Sequence, residues 1–451
     1  MKVGIIGAGL AGLTAACELA DAGVAVTLFE RRPWAGGKTY SFTDRETGGQ
    51  VDNGQHILMR CTTAHIAFLQ KLGTAHLVRW QRRLRVPVFD ARGRRSDLWA
   101  APLPAPLHLA PSFCRYAHLD AADKLRAGRG IAAMRRDAST DTASFGDWLR
   151  AHGQSQPAID GFWDLIVVPA LNCRSDDASA SQALFVFREG FLKSAEAAAI
   201  GVPAVGLSEL HVIPAIRYIE SRGGRVRTGA AVETLVVDDG RAVAALLAGG
   251  ERVEMDAWVC ALPPHQLRDV LPAALRDDAP FGRLGDVRTS PIVNLHLWFD
   301  GPIADVGFAA FTGSDLQWLF QPQDAAPGGQ GGETHAVLSL SAADRYMPLD
   351  KGELVRLLLP QLQRALPAAA RRTLLRAAAV KEPDATFVPA PGLRRPGPLT
   401  PFANLFLAGA YTDTGWPATM ESAVRSGRAA AMALASRQKQ LAARPAAVSV
   451  A

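Results

Sequence analysis

Residues 2–40 read KVGIIGAGLAGLTAACELADAGVAVTLFERRPWAGGKTY, and this stretch decides the fold. Val3 to Ile6 is an apolar run of a length that suits a buried parallel strand. It leads into Gly7, Gly9 and Gly12, spaced G-x-G-x-x-G. Residues 10–22, rich in Ala and Leu, predict a helix. Val24 to Phe29 predicts a second buried strand, with Glu30 at its end. This is a βαβ unit. Its first glycine makes a tight turn, the second lets the backbone approach a diphosphate, and the third lets helix and strand pack closely. The helix N-terminus offers free N–H groups and about half a positive charge to that anion. Glu30 stands where it accepts hydrogen bonds from a ribose, which suits an unphosphorylated adenosine and opposes NADP. A glycine-rich turn alone is weak evidence. Here strand, glycines, helix, strand and acid fall in order.

The chain has 451 residues, enough for two domains with sizeable cores. Hydrophobic residues make up 48%, so an ordinary globular interior is available. The net charge of +6 is a mild basic bias, and no basic run is interleaved with aromatics as in nucleic-acid binders. The five cysteines are odd in number, widely spaced and without a C-x-x-C, which argues against a disulfide framework or zinc site. Reduced thiols in a cytoplasm are the simplest account. The glycine turn interrupts the first apolar run, so it does not read as a signal peptide. No apolar stretch is long enough to span a bilayer.

Further along, Val51 to His56 precedes a predicted helix at 63–72. Arginines crowd residues 79–95 in a region of short strands. Leu98 to Pro111 is apolar, but its four prolines bar a regular helix. It reads as a buried irregular loop, or as a lip that dips into a membrane or admits substrate. Residues 120–136 and 143–152 predict amphipathic helices, and 161–188 is mostly helical. Residues 210–222 predict a helix, 225–228 and 231–238 predict strands, and Asp239-Gly240 predicts a hairpin turn. Ser290 to Phe299 alternates, with Val293, Leu295 and Leu297 on one face and Asn294, His296 and Trp298 on the other. Residues 322–334 predict a surface loop and 352–366 a helix. A strand at 404–409 and a helix ending near 435 close the pattern, followed by a frayed tail at 437–451.

After Glu30 come five residues and then Gly36, Gly37 and Lys38. This extension resembles the amine oxidase and phytoene desaturase superfamily of FAD enzymes. Leu405 to Gly409, followed by A-T-M-E-S-A-V-R-S-G at 418–427, is similar to the superfamily's flavin-closing motif. More narrowly, D-N-G-Q-H at 52–56, A-L-N at 170–172, A-S-A at 178–180 and the 417–427 block resemble the hydroxysqualene dehydroxylases.

The resemblance implies an amine oxidase-like α/β fold. Its discontinuous Rossmann-type FAD domain would comprise residues 1–80, 206–289 and 391–436. An α+β substrate domain, a mixed sheet with helices on one side, would comprise 81–205 and 290–390. It implies non-covalent FAD held by Gly7, Gly9, Gly12, Glu30, Arg31, Gly36, Gly37, Lys38, Gly54, Gln55, His56, Val232, Gly409, Thr419 and Met420. The basic residue after the glycine pair would help hold the diphosphate. The helix start at Thr419 and Met420 would face the flavin pyrimidine. Ala410 departs from the pattern, which carries an acid there; Asp413 is the candidate substitute.

The implied reaction is reduction of hydroxysqualene to squalene by reduced flavin, in squalene and hopanoid synthesis. The partners implied are a hydrophobic isoprenoid substrate and upstream squalene-pathway synthases, with peripheral membrane contact through 98–119. Nucleic acid and metal are not expected. Rival readings are a carotenoid or phytoene-type desaturase, an amine oxidase, and a polyprenoid carrier with a structural flavin. His56 is the expected proton donor, with Asp52 second. Asn172 is expected either to face the cavity or to cap a helix end. Trp416 is expected beside the flavin or in the core.

Overall fold

The computed structural model describes residues 1–44, 48–137, 141–277, 279–321 and 332–442. Strand β1 (Lys2–Ile6), helix α1 (Leu10–Asp21) and strand β2 (Ala25–Phe29) form the expected opening unit. They belong to a five-stranded, all-parallel sheet in the order 225–227, β2, β1, 257–260, 405–407. Sheets of this kind are covered on both faces, which is why their strands are continuously apolar. Val3, Ile5, Val259 and Phe406 face α1 and the helix Met420–Ala442. Ile6, Phe29, Trp258 and Leu407 face a three-stranded antiparallel sheet at 232–254. Asp239 and Gly240 both have positive φ in the hairpin turn of that small sheet.

A seven-stranded mixed sheet forms the second centre. Its order is 374–387, 289–299, 334–341, 318–320, 308–312, 85–90, 95–99. Val293, Leu295 and Leu297 pack against Leu354, Leu358 and Leu362 of the helix Lys351–Ala365. Asp350 and Glu353 close a capping box at the start of that helix. The opposite face, through Val88, Phe308, Phe320 and Val337, meets a helical layer that includes Phe162, Leu165 and Leu184. Helices therefore flank both faces of this sheet, where the sequence predicted one.

Two local differences have physical causes. The last helix runs on to Ala442 instead of stopping near 435, because Arg437, Gln438, Lys439 and Gln440 are good helix formers. Residues 443–451 and most of the predicted 322–334 loop lie outside the described residues. Within the apolar 98–111 segment, the strand Arg95–Trp99 takes the first residues, and Pro111 sits in the first turn of a short helix, Ala110–Arg115. The five cysteines are free. No helix among the described residues is long and apolar enough to cross a membrane.

Candidate functional site

The site begins where β1 meets α1. Gly7 adopts φ +102°, a conformation that favours glycine, and a Cβ there would lie 2.7 Å from the Ala261 carbonyl oxygen. A Cβ on Gly12 would stand 2.0 Å from the Gly7 carbonyl oxygen, so close helix–strand packing requires glycine. Gly9 differs from both. Its backbone is ordinarily extended, at φ −72° and ψ 175°. A Cβ there would meet nothing nearer than the Gly37 Cα at 4.0 Å. No side chain caps α1 at Gly9, and no acid lies in its first turn. The helix thus presents its N–H groups and positive dipole end to the open side of Gly9. Gly36 and Gly37, at φ +117° and +60°, bring the following loop alongside, with the Gly36 N–H bonded to the Ala8 carbonyl at 2.8 Å.

Glu30 is buried and accepts from the Ala8 and Arg32 N–H groups, each at 2.9 Å, one on each carboxylate oxygen. Backbone bonds to Arg227 and Ala230 hold it beside the chain that leads to Val232. Arg31 is exposed. Its neighbour Arg32 reaches the Gly37 carbonyl at 3.4 Å and lies over the Tyr40 ring. Lys38 departs furthest from the expectation of a diphosphate ligand. Its ammonium donates to the carbonyls of Asp384 and Ala385 on the large sheet, and burial lowers its pKa. It ties the loop to that sheet and is not presented at the Gly9 turn.

The 52–56 motif enters from the opposite side. Asp52 accepts from Ser41 Oγ at 2.7 Å and the Leu207 N–H at 2.9 Å, fixing the turn at 206–208. Burial raises its pKa. Both bonds mark Asp52 as a structural anchor rather than an acid catalyst. Gly54 lies against Asn294: a Cβ there would stand 2.9 Å from Asn294 Nδ2. Gln55 follows, partly exposed.

His56 Nδ1 lies 2.7 Å from the Gly54 carbonyl oxygen, so Nδ1 carries the proton and Nε2 is bare. Burial lowers its pKa below 6.5 against weaker opposing effects of that carbonyl and Asp52. A neutral ring with a bare Nε2 accepts protons. This reverses the expectation that His56 is the proton donor.

Of the two expectations for Asn172, the helix cap is the one found. The residue ends the helix Asp164–Leu171 in the left-handed conformation, φ 52° and ψ 35°. Its Nδ2 donates to the Ser290 carbonyl and Thr386 Oγ1, and its Oδ1 accepts from the Ala342 N–H. All its polar capacity goes into joining this helix end to the large sheet.

At the C-terminal block, Gly409 has φ +141°, and a Cβ there would collide with the Tyr411 ring at 2.5 Å. Its N–H donates to Ser426 Oγ at 2.9 Å. Thr419 Oγ1 accepts from the Ser422 N–H at 3.3 Å, capping the helix that Met420 begins. Ser422 Oγ donates to the Ala410 carbonyl. Asp413 does not stand in for the missing acid: it is exposed and engaged by Arg395 and the Gly415 N–H. Trp416 is partly exposed, with Phe185 edge-on at 5.1 Å and Arg425 stacked over it.

Two buried groups escaped the sequence reading. Glu421 accepts from the N–H groups of Ala64 and His65 at 3.0 and 2.7 Å, capping a helix from 357 and 356 residues away. His65 Nε2 lies 2.7 Å from His211 Nε2. His211 gives its Nδ1 proton to the Leu207 carbonyl, so His65 is the donor of that pair. No spacing rule links such distant positions. The E-S in the last block was the one visible signal.

The sequence profile of a family described as flavin containing amine oxidoreductase matches residues 10–435. A hydroxysqualene dehydroxylase of Rhodopseudomonas palustris is 32% identical, over 95% of this chain and 97% of that protein. A probable zeta-carotene desaturase of Synechococcus elongatus is 29% identical, over 96% and 98%. Among solved structures, an oxidoreductase from Methanosarcina mazei superposes with a TM-score of 0.75 at 19% identity, covering 95% of this chain and 99% of that one.

FAD, the cofactor of such proteins, fits the residues present. The open side of Gly9 and the uncapped α1 N-terminus suit a diphosphate, and the paired oxygens of Glu30 retain lone pairs for a ribose.

Proposed function

The chain belongs to the flavin-containing amine oxidoreductase family and is an FAD-dependent oxidoreductase; from that premise we propose that it reduces hydroxysqualene to squalene. The hydroxysqualene dehydroxylase likeness at 32% identity supports this substrate, together with the motifs at 52–56, 170–172 and 417–427. One observation carries the substrate class. Where the large sheet meets the helical layer, Phe308, Trp318, Phe320 and Val337 pack with Phe162, Leu165 and Leu184, so this side of the sheet is apolar and aromatic throughout. Such surroundings suit a long hydrocarbon and not a polar amine.

On this reading, residues 1–80, 206–289 and 391–436 form the cofactor unit, and 81–205 with 290–390 form the substrate unit. Gly9 and the α1 N–H groups would receive the diphosphate, and Glu30 the adenosine ribose. Gly54 and the Met420 helix start would border the isoalloxazine. When bound and reduced, FAD supplies the hydride that replaces the substrate's hydroxyl. The aromatic face excludes water and stabilises an allylic cation by cation–π contact. A desaturase reading, supported by the zeta-carotene desaturase likeness at 29% identity, is the same fold run oxidatively.

The deciding experiment is anaerobic. Pre-reduced holoenzyme is mixed with hydroxysqualene, and flavin absorbance and squalene are followed together. Stoichiometric reoxidation with squalene is the expected result. Absence of squalene, with reduction of the oxidised holoenzyme by a carotene precursor, replaces this reading with the desaturase one.

The reading also includes a membrane lip. Leu103 and Leu107, 43% and 57% exposed, project from the Pro-rich segment that follows the exposed arginines of 82–95 in the sequence. Trp99, at the start of the same segment, is partly buried at the end of its strand.

A further inference from the structure

The aromatic face of the large sheet ends in polar atoms that the reading above leaves unused. Cross-strand register aligns Phe308, Phe320, Val337 and His296 in one row. The adjacent row carries Trp318, Ser339 and Asn294. Asn294 and His296 are 3% and 1% exposed. Asn294 Oδ1 and His296 Nε2 are buried without a hydrogen-bond partner. An acceptor and an imidazole nitrogen left bare two residues apart on one face call for a ligand that pairs with them. Asn294 lies against Gly54, which on the reading above would border the isoalloxazine.

The second nitrogen of His296 leads outward. His296 Nδ1 lies 3.0 Å from His335 Nε2. His335 is partly exposed and stacks on Trp298 with ring centroids 4.6 Å apart. Trp298 lines a cleft of about 380 Å³ together with Asp44, Arg376, Lys351 and Lys381. His335 is thus the outer, partly exposed member of the pair, and His296 the buried one beside the aromatic face.

We propose that Asn294 and His296 bind the hydroxyl of the isoprenoid alcohol, and that the His335–His296 pair is the inlet for the proton this hydroxyl needs to leave. The inference rests on the dehydroxylase reading and deepens it. His296 gives its Nε2 proton to the hydroxyl oxygen. The C–O bond breaks, its electron pair stays on oxygen, and water leaves. His296 Nδ1 takes the Nε2 proton of His335, which takes one from solvent on Nδ1. The hydride that quenches the carbocation is what bound, reduced FAD would supply. One proton and one hydride enter, and one water leaves.

Burial holds both rings neutral, His296 down to about 4 and His335 to about 3, with Arg376 also lowering His335 and Asp44 opposing. Transfer therefore runs between neutral tautomers. Its driving proton comes from solvent and not from a stored imidazolium.

The test uses the holoenzyme in two states. With oxidised FAD, titration of the flavin spectrum gives affinities for hydroxysqualene and squalene without turnover. Wild type should prefer the alcohol by about tenfold or more, the scale of one well-placed hydrogen bond. Asn294→Leu and His296→Phe should lose that preference. With reduced FAD, His335→Gln should keep the preference but slow single-turnover formation of squalene by about a hundredfold or more. Because His335 is partly exposed, this arm stands even if the buried variants lose FAD. Unchanged preference in both buried variants, or wild-type turnover in His335→Gln, overturns the inference alone. If wild type itself forms no squalene, the functional reading fails and the inference falls with it.

Discussion

Gly37 presses on Gly9: a Cβ on Gly37 would stand 2.9 Å from the Gly9 Cα, whereas a Cβ on Gly9 would find 4.0 Å of room. The protein itself therefore does not require glycine at position 9. A side chain there meets only what approaches from outside. Gly9→Val should fold with stability within about 0.5 kcal/mol of wild type. It should lose at least nine-tenths of its FAD, read from absorbance after gel filtration. Gly12→Ala should instead lose about 1–3 kcal/mol or more, because its Cβ overlaps the Gly7 carbonyl. Stoichiometric FAD in Gly9→Val would show that the diphosphate lies elsewhere.

His56 should not act as the acid. With its proton on Nδ1 and its pKa lowered by burial, it offers a bare Nε2 at neutral pH. His56→Gln should retain FAD and lose less than about tenfold in single-turnover rate, below the 10²–10⁴ typical of a general acid. A loss of a hundredfold that added imidazole restores would return the acid role to His56.

Lys38 should behave as a structural cation. Its ammonium holds two carbonyls of the Leu374–Phe387 strand. Lys38→Met would leave those carbonyls unpaired and should cost about 1–3 kcal/mol in a urea titration. FAD affinity of the folded fraction should change by less than about tenfold. A large affinity loss at unchanged stability would put Lys38 on the diphosphate after all.

Much of this was legible. Gly7, Gly9, Gly12 and Glu30 are local in sequence, and local spacing dictates their geometry. The two faces of the Thr289–Phe299 strand follow from period-two alternation. Side-chain roles set by distant partners were not legible. For Asn172 the sequence left cavity and helix cap open, and the bonds to the Ser290, Thr386 and Ala342 groups decide for the cap. Lys38 fits a motif, yet its destination is set by a strand about which that motif says nothing. His56 was misread because protonation depends on which carbonyl meets which nitrogen, a distinction no sequence pattern records.

Histidines held neutral in the fold make stability depend on pH. Burial lowers the pKa values of His56, His65, His108, His118, His211, His296 and His335. Below about pH 6.5 the unfolded chain binds protons that the native state refuses, so stability falls as pH falls. The contribution is complete above about pH 7.5 and shrinks until the native rings titrate, near 4 for His296 and 3 for His211 and His335. Each ring contributes a slope of up to about 1.4 kcal/mol per pH unit. Asp52 and Asp164, raised by burial, act with the opposite sign nearer their ordinary range. The clean window is therefore pH 6.5 to 5. The denaturation midpoint should drop across it, and a flat profile would contradict the burial of these rings.

Leu103 and Leu107 should anchor the protein to lipid. Co-sedimentation with anionic liposomes at low salt should retain wild type and release Leu103→Glu with Leu107→Glu. Trp99→Glu should act mainly by destabilising the fold, since that ring is partly buried. Wild type that ignores such liposomes would remove the lip from the account.

The strand order of the parallel sheet also fixes a timetable. β1 is flanked by β2 and by the strand at 257–260, which in turn pairs with 405–407. A ribosome adding 5–20 residues per second needs roughly ten to fifty seconds to go from β2 to the 257–260 strand. Throughout that interval the nascent βαβ unit exposes an apolar strand edge with no neighbour. The sheet that carries the Gly9 turn is therefore completed only when the 405–407 strand arrives, near the end of translation.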